Sequence, residues 1–235
     1  MQLFYNHNIN QNSEEIAFDK IESRHIVRVL RKNAGDILHI TNGKGYLFTA
    51  EIVLASDKKC LAKIINCKEK PKPWSYYLHI AIAPTKLNDR FEWFLEKATE
   101  IGIDEITPII CQNSERRVVK LERFEKIIQS AMKQSLKFTL PKINEPVKFT
   151  EFINQEFTDK VCIAHCEENE KELLKNIIST EENALILIGP EGDFSSEEIQ
   201  LAQEKNYIPI SLGESRLRTE TAGLVAVQNV AFINQ

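Results

Sequence analysis

From Gln2 to Cys67 the apolar positions come in short runs broken by turns, and they read as strands over Gln2–Tyr5, Glu15–Phe18, Ile37–Thr41, Tyr46–Val53 and Lys59–Cys67. The turn Asn42-Gly43-Lys44-Gly45 between two of them predicts a hairpin. One helix interrupts, over Glu22–Leu30, with Ile26, Val29 and Leu30 on its apolar side. Short strands with a single helix predict a small closed β-barrel suited to binding more than to catalysis. The stretch Lys68–Pro73, KEKPKP, is too rich in charge and proline to pack, and the pattern changes after it.

Beyond Tyr76 apolar runs and amphipathic stretches alternate. Strands are predicted over Tyr77–Ala83, Glu105–Ile110, Val161–Ala164, Ala184–Ile188 and Tyr207–Leu212. Helices are predicted over Asp89–Ile101, Leu121–Leu136, Glu168–Ile178, Ser196–Lys205 and Thr221–Ile233. Such alternation implies an α/β domain with a mainly parallel sheet covered on both faces. The expected division is residues 1–70 for the barrel and 75–235 for the α/β domain. Connection rules alone predict an unknotted, doubly wound sheet.

The chain is organised around Leu185–Gly223. An apolar run ends in Gly189-Pro190-Glu191-Gly192, and Ser195 and Glu198 have the spacing of a capping box. A second run breaks at Gly213 into Ser215-Arg216-Leu217-Arg218-Thr219-Glu220-Thr221-Ala222-Gly223. Four of the eight glycines (Gly189, Gly192, Gly213, Gly223) fall here, which suggests backbone brought close to a ligand at the carboxyl edge of the sheet. His165-Cys166-Glu167 after an earlier strand would converge on the same place. Neither phosphate-binding glycine motif is present, nor a nucleophile elbow. What is left points to an adenosyl-type ligand held by main-chain groups and an apolar slot.

Bulk composition narrows the setting. An apolar share of 43% allows a proper core in 235 residues. No window has the length of a membrane span and the N-terminus lacks a signal-peptide layout, so a cytoplasmic protein without membrane attachment is expected. The five cysteines are scattered and without paired spacing, which argues for reduced thiols and against a metal. The formal charge of −4 hides two basic segments. One spans Lys20–Lys32, with Arg24, Arg28 and Arg31; the other spans Glu115–Lys142, with Arg116, Arg117, Lys120 and Arg123. Basic segments on a mildly acidic body suit either a polyanion-binding face or solvated helix faces.

The two glycine-bearing runs resemble the signature motifs of the SPOUT methyltransferases, and more narrowly of RsmE-type 16S rRNA uridine-N3 methyltransferases. Further matches follow in order along the chain: His25 with Val29-Leu30-Arg31, Glu96-Lys97-Ala98-Thr99-Glu100-Ile101-Gly102 with Ile106 and Pro108, Ser114-Glu115-Arg116, and Gln134-Ser135 with Leu140-Pro141. The resemblance implies a PUA-like β-barrel followed by a SPOUT α/β domain with a deep trefoil knot, acting as a homodimer on 16S rRNA or the small ribosomal subunit. S-adenosylmethionine would be held by Ala164, His165, Ile188, Gly189, Pro190, Glu191, Gly192, Leu212, Gly213, Leu217, Arg218, Thr221 and Ala222.

Arg218 and Arg216 would stabilise negative charge on the uracil oxygens. Glu220 would either accept the N3 proton or serve its helix start and pair with an arginine. The basic residues Arg24, Arg28, Arg31, Arg116, Arg117, Lys120 and Arg123 would hold RNA phosphates. The chain departs from the family pattern at Asp193, where a second glycine is usual, and at Gln2, where a basic residue is usual. Two other readings remain open: another SPOUT enzyme with a tRNA or 2′-hydroxyl target, and a non-catalytic RNA-binding assembly protein.

Overall fold

The computed structural model describes residues 1–158, 160–168 and 170–235. The chain divides into two compact units, one of Met1–Pro73 with Met132–Leu140, the other of Trp74–Ala131 with Pro141–Gln235.

In the first unit, β1 (Leu3–Tyr5), β2 (Glu15–Ala17), β3 (Ile37–Thr41), β4 (Tyr46–Leu54) and β5 (Leu61–Glu69) form a sheet of order β1-β3-β4-β5-β2. The β1–β3 pair is parallel and the other pairs are antiparallel. Along β4 every second residue, Phe48, Ala50 and Ile52, is buried, the alternation of a one-sided strand. These side chains join Phe4, Ile16, Phe18, Leu38, Ile40 and Ala62 in one core. Helix α1 (Lys20–Arg24) starts on Asp19, whose carboxylate accepts the Glu22 N–H at 2.8 Å. It continues as a π-helical stretch, His25–Val29, with Leu30 N–H bonded to His25 O at 2.9 Å. The expected apolar stripe is corrected here. Ile26 is fully buried, but Val29 is 67% exposed, because i→i+5 winding advances each residue through a smaller angle and carries Val29 off the core face.

The second unit contains β6 (Leu78–Ile82), α2 (Asn88–Ile101), β7 (Glu105–Ile110), most of α3 (Leu121–Gln134), β8 (Lys142–Ile143), β9 (Val147–Lys148), α4 (Phe149–Phe152), β10 (Lys160–Ala164), β11 (Glu172–Leu173), α5 (Leu174–Ile177), β12 (Ala184–Ile188), α6 (Ser196–Glu204), β13 (Ile208–Ser211) and α7 (Thr219–Ile233). Its sheet runs β11-β13-β10-β12-β6-β7-β8, with β9 also on β7. Every pairing among these strands is parallel. Both central strands, β6 and β12, are buried at all five positions, as strands covered on both faces must be. Leu185 and Leu187 pack on one face with Ile163, Phe149, Phe152, Phe194 and Ile199. On the other face α7 approaches β6 and α2 closely: a Cβ on Gly223 would lie 2.8 Å from Ile82 Cδ1 and from Phe94 Cε2.

The helix expected over Glu168–Ile178 is absent in that form; Asn169, within it, lies outside the described residues. Glu172 and Leu173 pair instead with Ile210 and Ser211 of β13, leaving only the single turn α5. An edge-strand ladder outweighs local helical preference here. The two-residue strands β8 and β9 and the short α4 are too brief to carry a readable period. Because the strands are parallel, β10, β12 and β13 end along a single edge.

Candidate functional site

The loops leaving β10, β12 and β13 enclose two adjoining cavities at that edge. The larger, about 430 Å³, is lined by Ala164, His165, Cys166, Lys171, Ile210–Leu217 and Ala222. The smaller, about 290 Å³, is lined by Ala164, Cys166, Ile188–Glu191, Asp193, Arg216–Thr219 and Ala222. They share Ala164, Cys166, Arg216, Leu217 and Ala222, so they form one groove. A combined space of this order suits a small organic ligand, for which sites measure about 300–1,000 Å³.

One wall is tied down by side chains reaching across the loops. Ser195 and Glu198 form the full capping box at the start of α6, and Glu198 also accepts the Gln112 N–H at 2.8 Å. The Glu191 carboxylate accepts the Lys86 N–H at 2.9 Å. Arg116 donates to the carbonyls of Thr85 and Lys86. Asn113 donates to the carbonyls of Gly192 and Asp193. Thr219 donates its hydroxyl proton to Gly189 O at 3.0 Å, joining the start of α7 to the Gly-Pro-Glu-Gly turn.

Asp193 sits in the left-handed region at φ +63°, which costs a non-glycine residue about 1–2 kcal/mol. Its carboxylate accepts two backbone N–H groups, Cys166 at 2.7 Å and Phe194 at 2.8 Å. Bonds to a charged acceptor contribute about 1.5–3 kcal/mol each, so even discounted for partial exposure they offset the strain. From the other side Lys171 donates to the carbonyls of His165 and Glu167 at 2.9 and 2.6 Å.

His165 borders the larger cavity and is only 6% exposed, yet neither ring nitrogen has a partner among the described residues. Burial, helped by the Lys171 ammonium, pushes its pKa down, with Asp193 and Glu167 opposing. The ring is therefore neutral at pH 7 and offers one donor and one acceptor. A buried polar group left unpaired costs about 1–3 kcal/mol, a cost that a polar ligand in the groove would remove.

The sequence-predicted residues fall into three groups. Ala164, His165, Ile188, Gly189, Pro190, Glu191, Leu212, Gly213, Arg216, Leu217, Arg218 and Ala222 all border the groove. Gly192 and Thr221 do not: a Cβ on Gly192 would meet Asn113 at 3.2 Å, and Thr221 lines neither cavity. Glu220, 6% exposed, also lies off the groove, with its Oε1 3.8 Å from Arg90 Nε; the arginine beside it is Arg90, not Arg216 or Arg218.

Gly189 and Gly223 are both packed closely against neighbouring side chains inside the protein. A Cβ at Gly189 would come within 3.0 Å of the Phe194 ring. Gly213, at φ +129° with open space around it, is the one whose backbone conformation calls for glycine.

Of the basic residues, Arg116 and Arg117 are bonded to carbonyls of their own unit, Arg123 is paired with Glu92 and Arg28 with Asp57. Arg24, Arg31 and Lys120 are exposed. Lys171, Asp193 and Thr219 were missed as groove residues. Asp193 left a trace in the sequence as a departure from a glycine pattern and Thr219 as part of the run after Gly213, while Lys171 left none.

Residues 72–231 match the model of an RNA methyltransferase domain, and residues 18–65 that of an RNA methyltransferase PUA domain. The chain is 34% identical over 215 residues to the ribosomal RNA small subunit methyltransferase E of Buchnera aphidicola, covering 88% of this chain and 83% of the relative. Among solved structures it is similar to a probable rRNA methyltransferase from Porphyromonas gingivalis, with 43% identity, TM-score 0.93, and coverage of 100% and 98% of the two chains. It is also similar to a ribosomal RNA small subunit methyltransferase E from Neisseria gonorrhoeae bound to S-adenosylmethionine, with 25% identity, TM-score 0.86, and coverage of 100% and 98%.

Proposed function

The chain belongs to the RNA methyltransferase domain family, and from that premise we infer that it transfers a methyl group from S-adenosylmethionine to N3 of a uridine in 16S rRNA of the small ribosomal subunit. The observation that carries the reading is the groove itself, built from main-chain turns with apolar and charged side chains around a buried, neutral His165 whose ring nitrogens have no partner among the described residues. That lining matches a ligand with an adenosine and an amino-acid end better than a phosphate-rich nucleotide. The loops around Ala164–Cys166, Ile188–Glu191 and Leu212–Leu217 would hold the donor. Bound there, S-adenosylmethionine supplies an electrophilic methyl group.

The residues of the chain do the rest. The tied-down wall fixes the orientation of the reacting atoms. Uracil N3 must lose its proton before or during attack, and at the solvent-exposed rim of the groove that proton passes to water. The Arg216 and Arg218 side chains, exposed at the rim, stabilise the negative oxygens that develop. Glu220 is not the base in this reading, since it is buried beside Arg90 and away from the groove. The exposed cations Arg24, Arg31 and Lys120 are assigned to RNA phosphates.

The order of strands supports a threaded chain. β13 lies on the side of β10 away from β12, yet α7 returns to β6 and α2, so residues 212–218 cross the ends of β10 and β12 beside Gly189. A homodimer is part of the same reading. A cytoplasmic location follows from the proposed substrate.

Two measurements test this reading. Calorimetry should show S-adenosylmethionine binding, whereas a bare RNA-binding protein shows no heat. Mass spectrometry of 16S rRNA from a strain lacking the gene should show loss of one 3-methyluridine; an unchanged level defeats the assignment.

A further inference from the structure

We propose that Asp193 is a positioning residue that clamps the strand-end loop carrying His165 and thereby sets the affinity of the groove for its methyl donor. The idea rests on the donor reading above, but the clamp has its own observable.

Residues 165–167 are held by two side chains from other parts of the unit. Asp193 accepts the Cys166 N–H at 2.7 Å, and Lys171 binds the carbonyls of His165 and Glu167. The Asp193 bond runs from the turn after β12 to the loop after β10, so it bridges two loops that line the groove. One oxygen reaches Cys166 while the other takes the Phe194 N–H, and this geometry is reached with the residue at φ +63°. A glycine would adopt that backbone without strain and would remove both bonds. The turn itself is also supported by Asn113 through the carbonyls of Gly192 and Asp193, so the carboxylate is not its only tie. What the carboxylate adds is a fixed path for the residue next to His165.

Stability and affinity should separate in the variants. Asp193→Ala keeps the strain and loses both bonds; Asp193→Gly loses both bonds and the strain; Asp193→Asn keeps one acceptor oxygen. We expect Asp193→Ala and Asp193→Gly to raise the Kd for S-adenosylmethionine about tenfold each, with Asp193→Asn in between. Asp193→Gly should melt no lower than Asp193→Ala despite its weak binding. An Asp193→Gly variant that binds the donor as tightly as the unaltered protein, or affinities that simply follow the melting temperatures, would overturn the proposal.

Hydrogen exchange of the ligand-free protein tests the clamp even if the donor reading fails. The Cys166 amide should be protected in the unaltered protein and unprotected in Asp193→Ala and Asp193→Gly. Protection retained in both variants overturns the clamp; absence of any S-adenosylmethionine binding by the unaltered protein overturns the donor reading instead.

Discussion

His79 and His165 lie at opposite ends of the same parallel sheet and are equally buried, at 5% and 6% exposure, yet their surroundings could hardly differ more. His79 sits near the start of β6. Its Nε2 lies 2.7 Å from Thr107 Oγ1, and its ring meets Phe152 and Phe157 edge-on. Around it Asn144 donates to Thr107 and Glu105, while Lys142 and Tyr77 also donate to Glu105. A cavity of about 380 Å³ opens beside this cluster, but these polar groups are already spent on one another. At the other end, His165 has no partner for either nitrogen among the described residues. Burial alone does not separate a structural histidine from a ligand-facing one; the count of satisfied atoms does.

The comparison is tested hardest by acid. Burial pushes the His79 pKa down to about 4, with Glu105 opposing and Lys142 adding. For Glu105, burial by itself raises the pKa, but hydrogen bonds from Asn144, Lys142 and Tyr77 hold it at about 2. A histidine kept neutral in the fold contributes no penalty above its unfolded pKa of 6.5 and an increasing one below it. Unfolding free energy should therefore fall by about 3 kcal/mol between pH 6.5 and pH 4 on account of His79. The Glu105 contribution is lost later, from pH 4.5 down to about 2. Urea denaturation of His79→Leu across this range should show a clearly flatter upper segment; identical slopes would remove His79 as its cause.

At the opposite edge the expected losses are of function. Arg218→Ala should lower kcat about a hundredfold with little loss of donor affinity, as for removal of one transition-state donor; full turnover would strike it from the mechanism. His165→Leu should weaken S-adenosylmethionine binding about tenfold, roughly 1.4 kcal/mol, while thermal stability stays level or rises because an unpaired buried group is gone. A large loss of stability without loss of affinity would place His165 in the same class as His79. The smallest effect is expected at Thr219→Val, where a buried hydroxyl bond to Gly189 O is removed, costing about 1 kcal/mol in denaturation experiments.

Much of this could be read from residue order alone. The strands β7 and β12 were legible to the residue, and α2 to within one residue, because Phe91, Phe94, Leu95 and Ala98 recur at helical spacing. Ser195 and Glu198 announced the start of α6. The stretch 168–178 misled, since pairing of Glu172 and Leu173 with β13 is a contact over more than thirty residues that no local window contains. Glu220 stands in the first turn of α7 beside Arg90, in line with the helix-start and arginine-pairing alternative, but which arginine it meets was not readable from sequence.

What the amino-acid order determined by itself is therefore the set of elements and the segments from which the groove is made, because burial period, glycine turns and helix caps act over a few residues. Only the tertiary structure decided which atoms in that groove are committed and which are left over. Glu191, Arg116 and Asp193 spend their charged groups on backbone far away in the chain, and among the described residues His165 keeps both nitrogens unspent. Hydrogen bonds across loops depend on where strands end in space, and that is set by the packing of the whole sheet.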